Sequence, residues 1–510
     1  MTTADLYQQL ADKQAWASAG GSLSEKGKKI LEGKMFVRDR LAQLFDDGAD
    51  FEDGLLAGSE KGVPADAVVT AIGSVNGRKV AVIANDISSK AGSWGYQTFI
   101  KITRFQELAF KLKLPLLYLV DSAGARIDEQ KQSYLGRRAW GNIFHNQVKY
   151  SGAIPQVCVL FGPSPAGAAY VPALCDVVIM VDKKATAYLG SPRMARMTIG
   201  EDVTEEEMGG ARMHCMVSGL GDILVDSDAQ AIETAKRYLA YFPNSYLEKP
   251  APAPDAKYSP VDLGAIVPQN QNVPFDIRLL IKGLADDASV LEIKELFAKE
   301  IICSLIRLDG MPVGVVANNS KHKGGALFND SSDKAARFIW LCNAFNVPLL
   351  FLQDIAGYMI GSSAERGGII RHGAKLLSAV CEATVPRIAV MVRKAYGGGY
   401  LAMSGAPTDP DAMLALPTAM PALVGPEAAV NAIFFNQIAA LPEGERAAFI
   451  AAKRLEYAAD IDVYSAAADS MAVEAVVHPD ALRNELIQRF RLYSLKQPER
   501  FEKRNAVHPV

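Results

Sequence analysis

The sequence has no run of about 18 residues free of glycine, proline and charge, so no segment reads as a membrane span. It has no charge excess either: 54 basic and 57 acidic side chains leave a net charge of −3, which offers no footprint for nucleic acid. Its six cysteines, at 158, 175, 215, 303, 342 and 381, contain no Cys-x-x-Cys pair. A zinc ribbon and a disulfide frame are therefore not indicated, and the apolar neighbours of these cysteines predict reduced, buried thiols. Six histidines fall singly, without His-x-x-x-His spacing, so no metal is expected. Gly-x-Ser-x-Gly and Gly-x-x-x-x-Gly-Lys are both missing, which argues against a nucleophile-elbow hydrolase and a P-loop. The first residues, MTTADLYQQLADKQAWASAGG, carry acids and have neither an apolar core nor an arginine bias. No signal or transit peptide is read there, and a cytoplasmic location is expected.

What is present is half apolar, 49% over 510 residues, enough for two or more packed domains. The chain is organised around residues 367–405. Ile369 to Glu382 has helical spacing, Ile388 to Val392 is an apolar run suited to a buried parallel strand, and Gly397-Gly398-Gly399 follows it. This unit has a counterpart. Pro115 to Gly124 matches Pro348 to Gly357 at an offset of 233, and Ala166-Gly167-Ala168 falls on Gly397-Gly398-Gly399 at 231. Asn76-Gly77 and Asp309-Gly310 are matching hairpin turns. The chain therefore reads as two copies of one α/β unit: residues 1–250, a Pro/Ala-rich linker over 251–262, and residues 263–510.

Within each copy the expectations are local. Residues 4–45 read as two amphipathic helices, Thr204 as the cap of a helix opened by Glu205, Glu206 and Glu207, and Ser331-Ser332-Asp333 as the cap of a helix from Lys334 to Phe345. Leu482 onward reads as a charged helix with a basic, extended tail. Asp121 and Asp354 occupy equivalent strand ends, where a carboxylate can bind N–H groups of the following Ala-Gly turn, so a structural role stands beside a catalytic one. His372 reads as a helix residue rather than a base. What remains is two small-residue loops of backbone donors, a pattern that suits two oxyanion holes.

Four segments carry a resemblance: Ala166-Gly167-Ala168-Ala169-Tyr170-Val171-Pro172-Ala173, Glu201-Asp202-Val203 through Gly209-Gly210-Ala211, Gly367-Gly368-Ile369-Ile370-Arg371-His372-Gly373-Ala374-Lys375, and Arg393-Lys394-Ala395-Tyr396-Gly397-Gly398. With them the chain resembles, over nearly its whole length, the carboxyltransferase (β) subunits of biotin-dependent acyl-CoA carboxylases, the group of the propionyl-CoA, acetyl-CoA and 3-methylcrotonyl-CoA enzymes. The resemblance implies two tandem crotonase-like (ClpP/crotonase) domains. It implies that the N-terminal half holds acyl-CoA, with the amides of Ala166 and Gly167, joined by Ala168, facing the thioester oxygen. Gly398 and Gly399 would hold the ureido oxygen of carboxybiotin in the C-terminal half, with Tyr170, Tyr400 and Leu401 as substrate-binding neighbours. In that family carboxybiotin releases CO2, the freed ureido nitrogen takes the α-proton, and the resulting enolate captures CO2. No Ala-Met-Lys-Met biotinylation motif occurs, so biotin would arrive on a biotin carboxylase or biotin carboxyl carrier partner. A site between the N-half of one subunit and the C-half of another implies an obligate homo-oligomer, commonly a hexamer.

The chain departs from the family pattern at a few positions. Ala166-Gly167 stands where Gly-Gly is frequent, and Leu416, Met420 and Pro421 interrupt a common Ala-Trp-Pro-Thr-Ala-Glu pattern, with Pro421 read as breaking a strand. Leu401 sits where the family varies with acyl preference, and an apolar residue there argues against a strict propionyl specialist. Alternatives from the same residues are the transferase subunit of a decarboxylase or transcarboxylase, a crotonase-type hydratase or isomerase, and a non-catalytic CoA-binding scaffold.

Overall fold

The computed structural model describes residues 2–21, 25–136, 139–497 and 507–509. The chain divides into two compact units, Met1–Lys249 and Pro250–Val510. In the first, a seven-stranded sheet runs edge to edge as Ala49–Asp53, Val68–Val75, Arg78–Asn85, Leu116–Val120, Gln156–Leu160, Val177–Val181 and Ile223–Val225. The second sheet repeats that order with Leu291–Ile293, Ile301–Leu308, Met311–Asn318, Leu349–Ile355, Arg387–Tyr396, Ala412–Ala415 and Ala475–Val476. In both, the first two pairings are antiparallel and all later ones parallel. The middles of the parallel strands are apolar without alternation, as befits strands buried on both faces; Val177–Val181 is buried at every position.

The two hairpin turns are as their sequences require. Asn76 and Gly77 have φ of +49° and +75°, Asp309 and Gly310 +52° and +79°, the pair of left-handed residues that lets a two-residue loop follow the strand twist. Helix Ile369–Glu382 has the bounds read from its periodicity. Thr204 caps Glu205–Gly209 in a capping box with Glu207.

Several expectations need correction. The N-terminal segment holds three helices, Thr3–Ser18, Glu25–Ile30 and Val37–Leu44, rather than two. The helix expected from Lys334 begins at Asn329; Ser331 Oγ accepts the Phe328 N–H at 2.6 Å from inside the first turn, so the serine caps from the third position instead of preceding the helix. Pro421 does not break a strand. Met420–Ala422 is a three-residue strand pairing with the end of Arg387–Tyr396, where a residue without an N–H costs no interior ladder bond. Five cysteines are buried, but Cys381 is exposed, because it lies on the outer side of its helix. Residues read as a linker fasten to the second unit: Ala253 N–H donates to Gly310 O at 2.9 Å and Tyr258 Oη to Gly283 O at 3.1 Å. Among the described residues the final helix is Pro479–Tyr493, and most of the basic tail read beyond it lies outside them.

Candidate active site

The first small-residue loop follows a thin support. Strand Pro163–Pro165 pairs only with Thr186–Tyr188, in a two-stranded parallel ladder of its own. Its two prolines face the other edge, where Pro163 O accepts the Ser122 N–H at 2.9 Å, and Ser164 faces Ala187 in the ladder. Ala166–Ala169 then forms a short 3-10 turn leading into Tyr170–Ala173. Ala166 has φ +55°, a left-handed conformation that disfavours a side chain and explains why glycine suits this position. Ser164 Oγ ties the turn from below by donating to Ala168 O at 2.9 Å. Gly167 lies flat on an indole: a Cβ there would stand 1.7 Å from Trp140 Cη2. Trp140 belongs to an aromatic row with Tyr134 at 5.9 Å and Phe144 at 5.4 Å, and Phe144 reaches Tyr170 at 6.1 Å between ring centroids. Ala168 is buried, Ala166 exposed, and Tyr170 about half exposed.

The second loop is the first turn of helix Gly397–Ala402, entered directly from strand Arg387–Tyr396. Gly397 has φ +53°. The N–H groups of a helix's first turn have no carbonyl one turn back, so they are free to meet a ligand oxygen. Gly399 needs its missing side chain, since a Cβ would come within 2.6 Å of Ile355 Cγ1 and 3.0 Å of Gly357 Cα. At exposed Gly398 the nearest atom to a Cβ, Tyr358 Cδ2, is 3.9 Å away, so the space on its side-chain side is open. Three phenols pack around this turn. Burial raises Tyr358 well above the usual phenol range, Tyr396 to about 12, and Tyr400 upward as well, so none supplies a base near neutral pH. Tyr400 Oη accepts the Ala406 N–H at 2.8 Å, and Leu401 beside it is half-buried.

The strand-end carboxylates are held by cations rather than by the turn amides expected from sequence. Asp121 accepts from Lys34 Nζ at 2.8 Å and Arg40 Nη2 at 3.2 Å, and Asp354 from Arg393 Nη2 at 2.6 Å. All four of Asp121, Asp354, Arg40 and Arg393 are at most 1% exposed. Each arginine also lies over a phenylalanine ring, Arg40 on Phe161 at 4.1 Å and Arg393 on Phe275 at 4.7 Å. Buried and paired, these carboxylates brace the strand ends. His372 Nδ1 lies 2.9 Å from Asp333 Oδ1, which Lys375 also reaches at 2.9 Å, in keeping with a helix-surface role.

Residues 28–507 match the carboxyl transferase domain. The chain belongs to the carboxyl transferase family. It is 55% identical over 495 residues to the uncharacterized carboxylase YngE of Bacillus subtilis (strain 168), covering 96% of each chain. It is 35% identical to the methylmalonyl-CoA decarboxylase subunit alpha of Veillonella parvula over the full length of both. Among solved structures it superposes on transcarboxylase 12S, a hexamer with methylmalonyl-CoA and methylmalonic acid bound, with a TM-score of 0.93, 36% identity, and coverage of 100% of this chain and 99% of that one.

The protein is thus an enzyme of the carboxyltransferase class, and its two units are the tandem crotonase-like domains of that family. Family membership also gives meaning to residues whose role the sequence left open. Gly209 and Gly210 let the capped helix Glu205–Gly209 press on strand Thr186–Tyr188: a Cβ at 209 would stand 2.4 Å from Ala187 O, and Thr186 bridges Gly210. No local signal singles out Trp140, and Arg40 fell within the segment read as amphipathic helices. Among the described residues no group of three or more His, Cys, Asp or Glu side chains could hold a metal ion, and no helix is long and apolar enough to cross a membrane.

Proposed function

We propose that the protein is the carboxyltransferase subunit of a biotin-dependent enzyme, moving a carboxyl group between carboxybiotin on a partner carrier and the α or vinylogous carbon of a short acyl-CoA. One observation carries the reading: the two halves present loops of the same backbone design, each opened by a left-handed residue, Ala166 or Gly397, and followed by first-turn amides. Such amides stabilise a developing oxyanion, and each donor contributes about 3 kcal/mol to the transition state.

The first unit takes acyl-CoA. The amides of Ala166 and Gly167, with Ala168, meet the thioester oxygen and hold the enolate that forms there, while Tyr170 flanks the acyl group. In the second unit Gly398 and Gly399 receive the ureido oxygen, with Tyr400 and Leu401 beside them. A small planar group fits at Gly398, where nothing lies within van der Waals contact of a Cβ except Tyr358 at 3.9 Å. When bound, carboxybiotin supplies the carboxyl group and, once relieved of it, a nitrogen that accepts the α-proton. This division of labour agrees with a second loop whose neighbouring phenols are held protonated by burial.

The biotin carrier and the ATP-dependent carboxylase are separate partners in this reading, and the working form is a homo-oligomer, a hexamer as in transcarboxylase 12S. The cytoplasm is its place of action. Likeness to a methylmalonyl-CoA decarboxylase subunit favours a second reading, the same transfer run from acyl-CoA to biotin within a decarboxylase or transcarboxylase. Transfer of labelled carboxyl from an acyl-CoA to free biotin tests the shared chemistry in either direction.

A further inference from the structure

His214 is a buried histidine, 9% exposed, at the head of a π-helical turn, His214–Ser218, that continues Ala211–Met213. Turns of this kind are uncommon and recur at functional sites. Both ring nitrogens are engaged: Nε2 lies 2.7 Å from Ala187 O and Nδ1 2.7 Å from Ser218 Oγ. A carbonyl only accepts, so Nε2 carries the hydrogen, and in the neutral ring Nδ1 accepts from the serine hydroxyl. Burial lowers the imidazole's proton affinity and keeps that neutral form.

The carbonyl it holds is one the fold leaves over. Ala187 is the middle residue of Thr186–Tyr188 and pairs in register with Ser164. Thr186 N–H donates to Gly162 O at 3.2 Å, which in a parallel ladder turns the Ala187 carbonyl to the opposite edge. A Cβ at Gly209 would stand 2.4 Å from that oxygen, so the backbone at Gly209 packs closely on this edge, and His214 Nε2 is the donor to the carbonyl. On the inner edge the ladder is only three residues long, and Pro163 and Pro165 face the far edge, where Pro163 O accepts the Ser122 N–H at 2.9 Å. Thr186–Tyr188 is therefore one of two supports of the strand that carries the first loop, and what holds it from outside helps to set the loop's position.

We infer that His214 is a positioning residue for the first amide loop: its Nε2–H fixes strand Thr186–Tyr188 through the Ala187 carbonyl, and with it Pro163–Pro165 and the Ala166 and Gly167 amides. The inference rests on the assignment of that loop to the acyl-CoA thioester. It also gives a purpose to the Glu201–Ala211 segment, which carries Gly209, Gly210 and the turn into His214 beneath the loop.

Two conservative variants separate the roles of the two nitrogens. In His214→Gln the amide nitrogen replaces Nε2 as donor to Ala187; in His214→Asn the shorter side chain reaches only the Ser218 side. Carboxyl transfer to free biotin is measured on the full-length oligomer, with amide hydrogen exchange of peptides spanning 163–170. We expect His214→Gln to keep kcat within about threefold, and His214→Asn to lower it at least about tenfold with KM for acyl-CoA changed less than about twofold. Exchange over 163–170 should speed by about tenfold in His214→Asn alone, at similar melting temperatures for the two variants. Equal kcat and equal exchange in the two variants, or a loss that follows melting temperature, overturns the inference. Should the wild type transfer no carboxyl at all, the acyl-CoA assignment fails, while the exchange comparison still decides whether His214 braces the loop.

Discussion

Ala166 and Gly397, 231 residues apart in the chain, open the two loops with nearly the same backbone, φ +55° and +53°. The left-handed start is what turns the following amides outward from each strand. An alanine bears that conformation at a cost of about 1 kcal/mol, and a glycine does not. Ala166→Gly is therefore expected to raise stability by up to about 1 kcal/mol and to leave transfer activity intact. Gly397→Ala should cost about 1–3 kcal/mol, because its Cβ would also stand 2.9 Å from Leu423 O. Urea denaturation of the two variants measures this, and a stabilised Gly397→Ala would contradict the shared geometry.

The fully buried Arg393–Asp354 pair makes a second expectation. Arg393→Met leaves the buried Asp354 carboxylate with only Lys394 Nζ, 3.8 Å away, and should cost about 3 kcal/mol. Adding Asp354→Asn should recover part of that loss, because the stranded charge is gone. A double-mutant cycle by chemical denaturation checks it; strictly additive losses would mean the two do not depend on each other.

Lys101 and Lys334 occupy matching places in the two units, each buried with its ammonium on main-chain carbonyls: Gly54, Ala65 and Val68 for the first, Lys294, Phe297, Ala298 and Ile301 for the second. Burial lowers the Lys101 amine from 10.5 to about 8. Between those values the unfolded chain binds a proton that the folded chain does not, so stability rises with pH across that window; below about 8 the buried charge is a full liability. Relative to Lys101→Met, which does not titrate, the wild type should gain on the order of 3 kcal/mol between pH 8 and 10.5. Urea titrations of both proteins across that range give the difference directly, and a flat difference would refute the shift.

Elements whose signal is local were readable in the sequence. Asn76-Gly77 and Asp309-Gly310 state their turns outright, and Ile369–Glu382 states its helix by spacing. The repeat was readable because matching strands kept their order and offset. Contacts between residues far apart in the chain were not readable. Arg40 meets Asp121 across 81 residues and Asp228 across 188, and Trp140 meets Gly167 through the fold alone. His214 was passed over because a single histidine has no spacing signal; only the unused carbonyl of Ala187 reveals its purpose. Pro421 misled because a proline's effect depends on whether its strand is at an edge, which residue type does not record.

The most direct test is transfer of labelled carboxyl from malonyl-CoA and methylmalonyl-CoA to free biotin, comparing wild type with Gly398→Ala and Gly398→Pro. Alanine keeps the 398 amide and meets no atom closer than 3.9 Å, whereas proline deletes the donor. The account predicts transfer by the wild type, transfer retained in Gly398→Ala, and a loss of about 100-fold or more in a folded, oligomeric Gly398→Pro. Transfer by Gly398→Pro at the wild-type rate, or none by the wild type from any acyl-CoA despite measurable CoA binding, would contradict it.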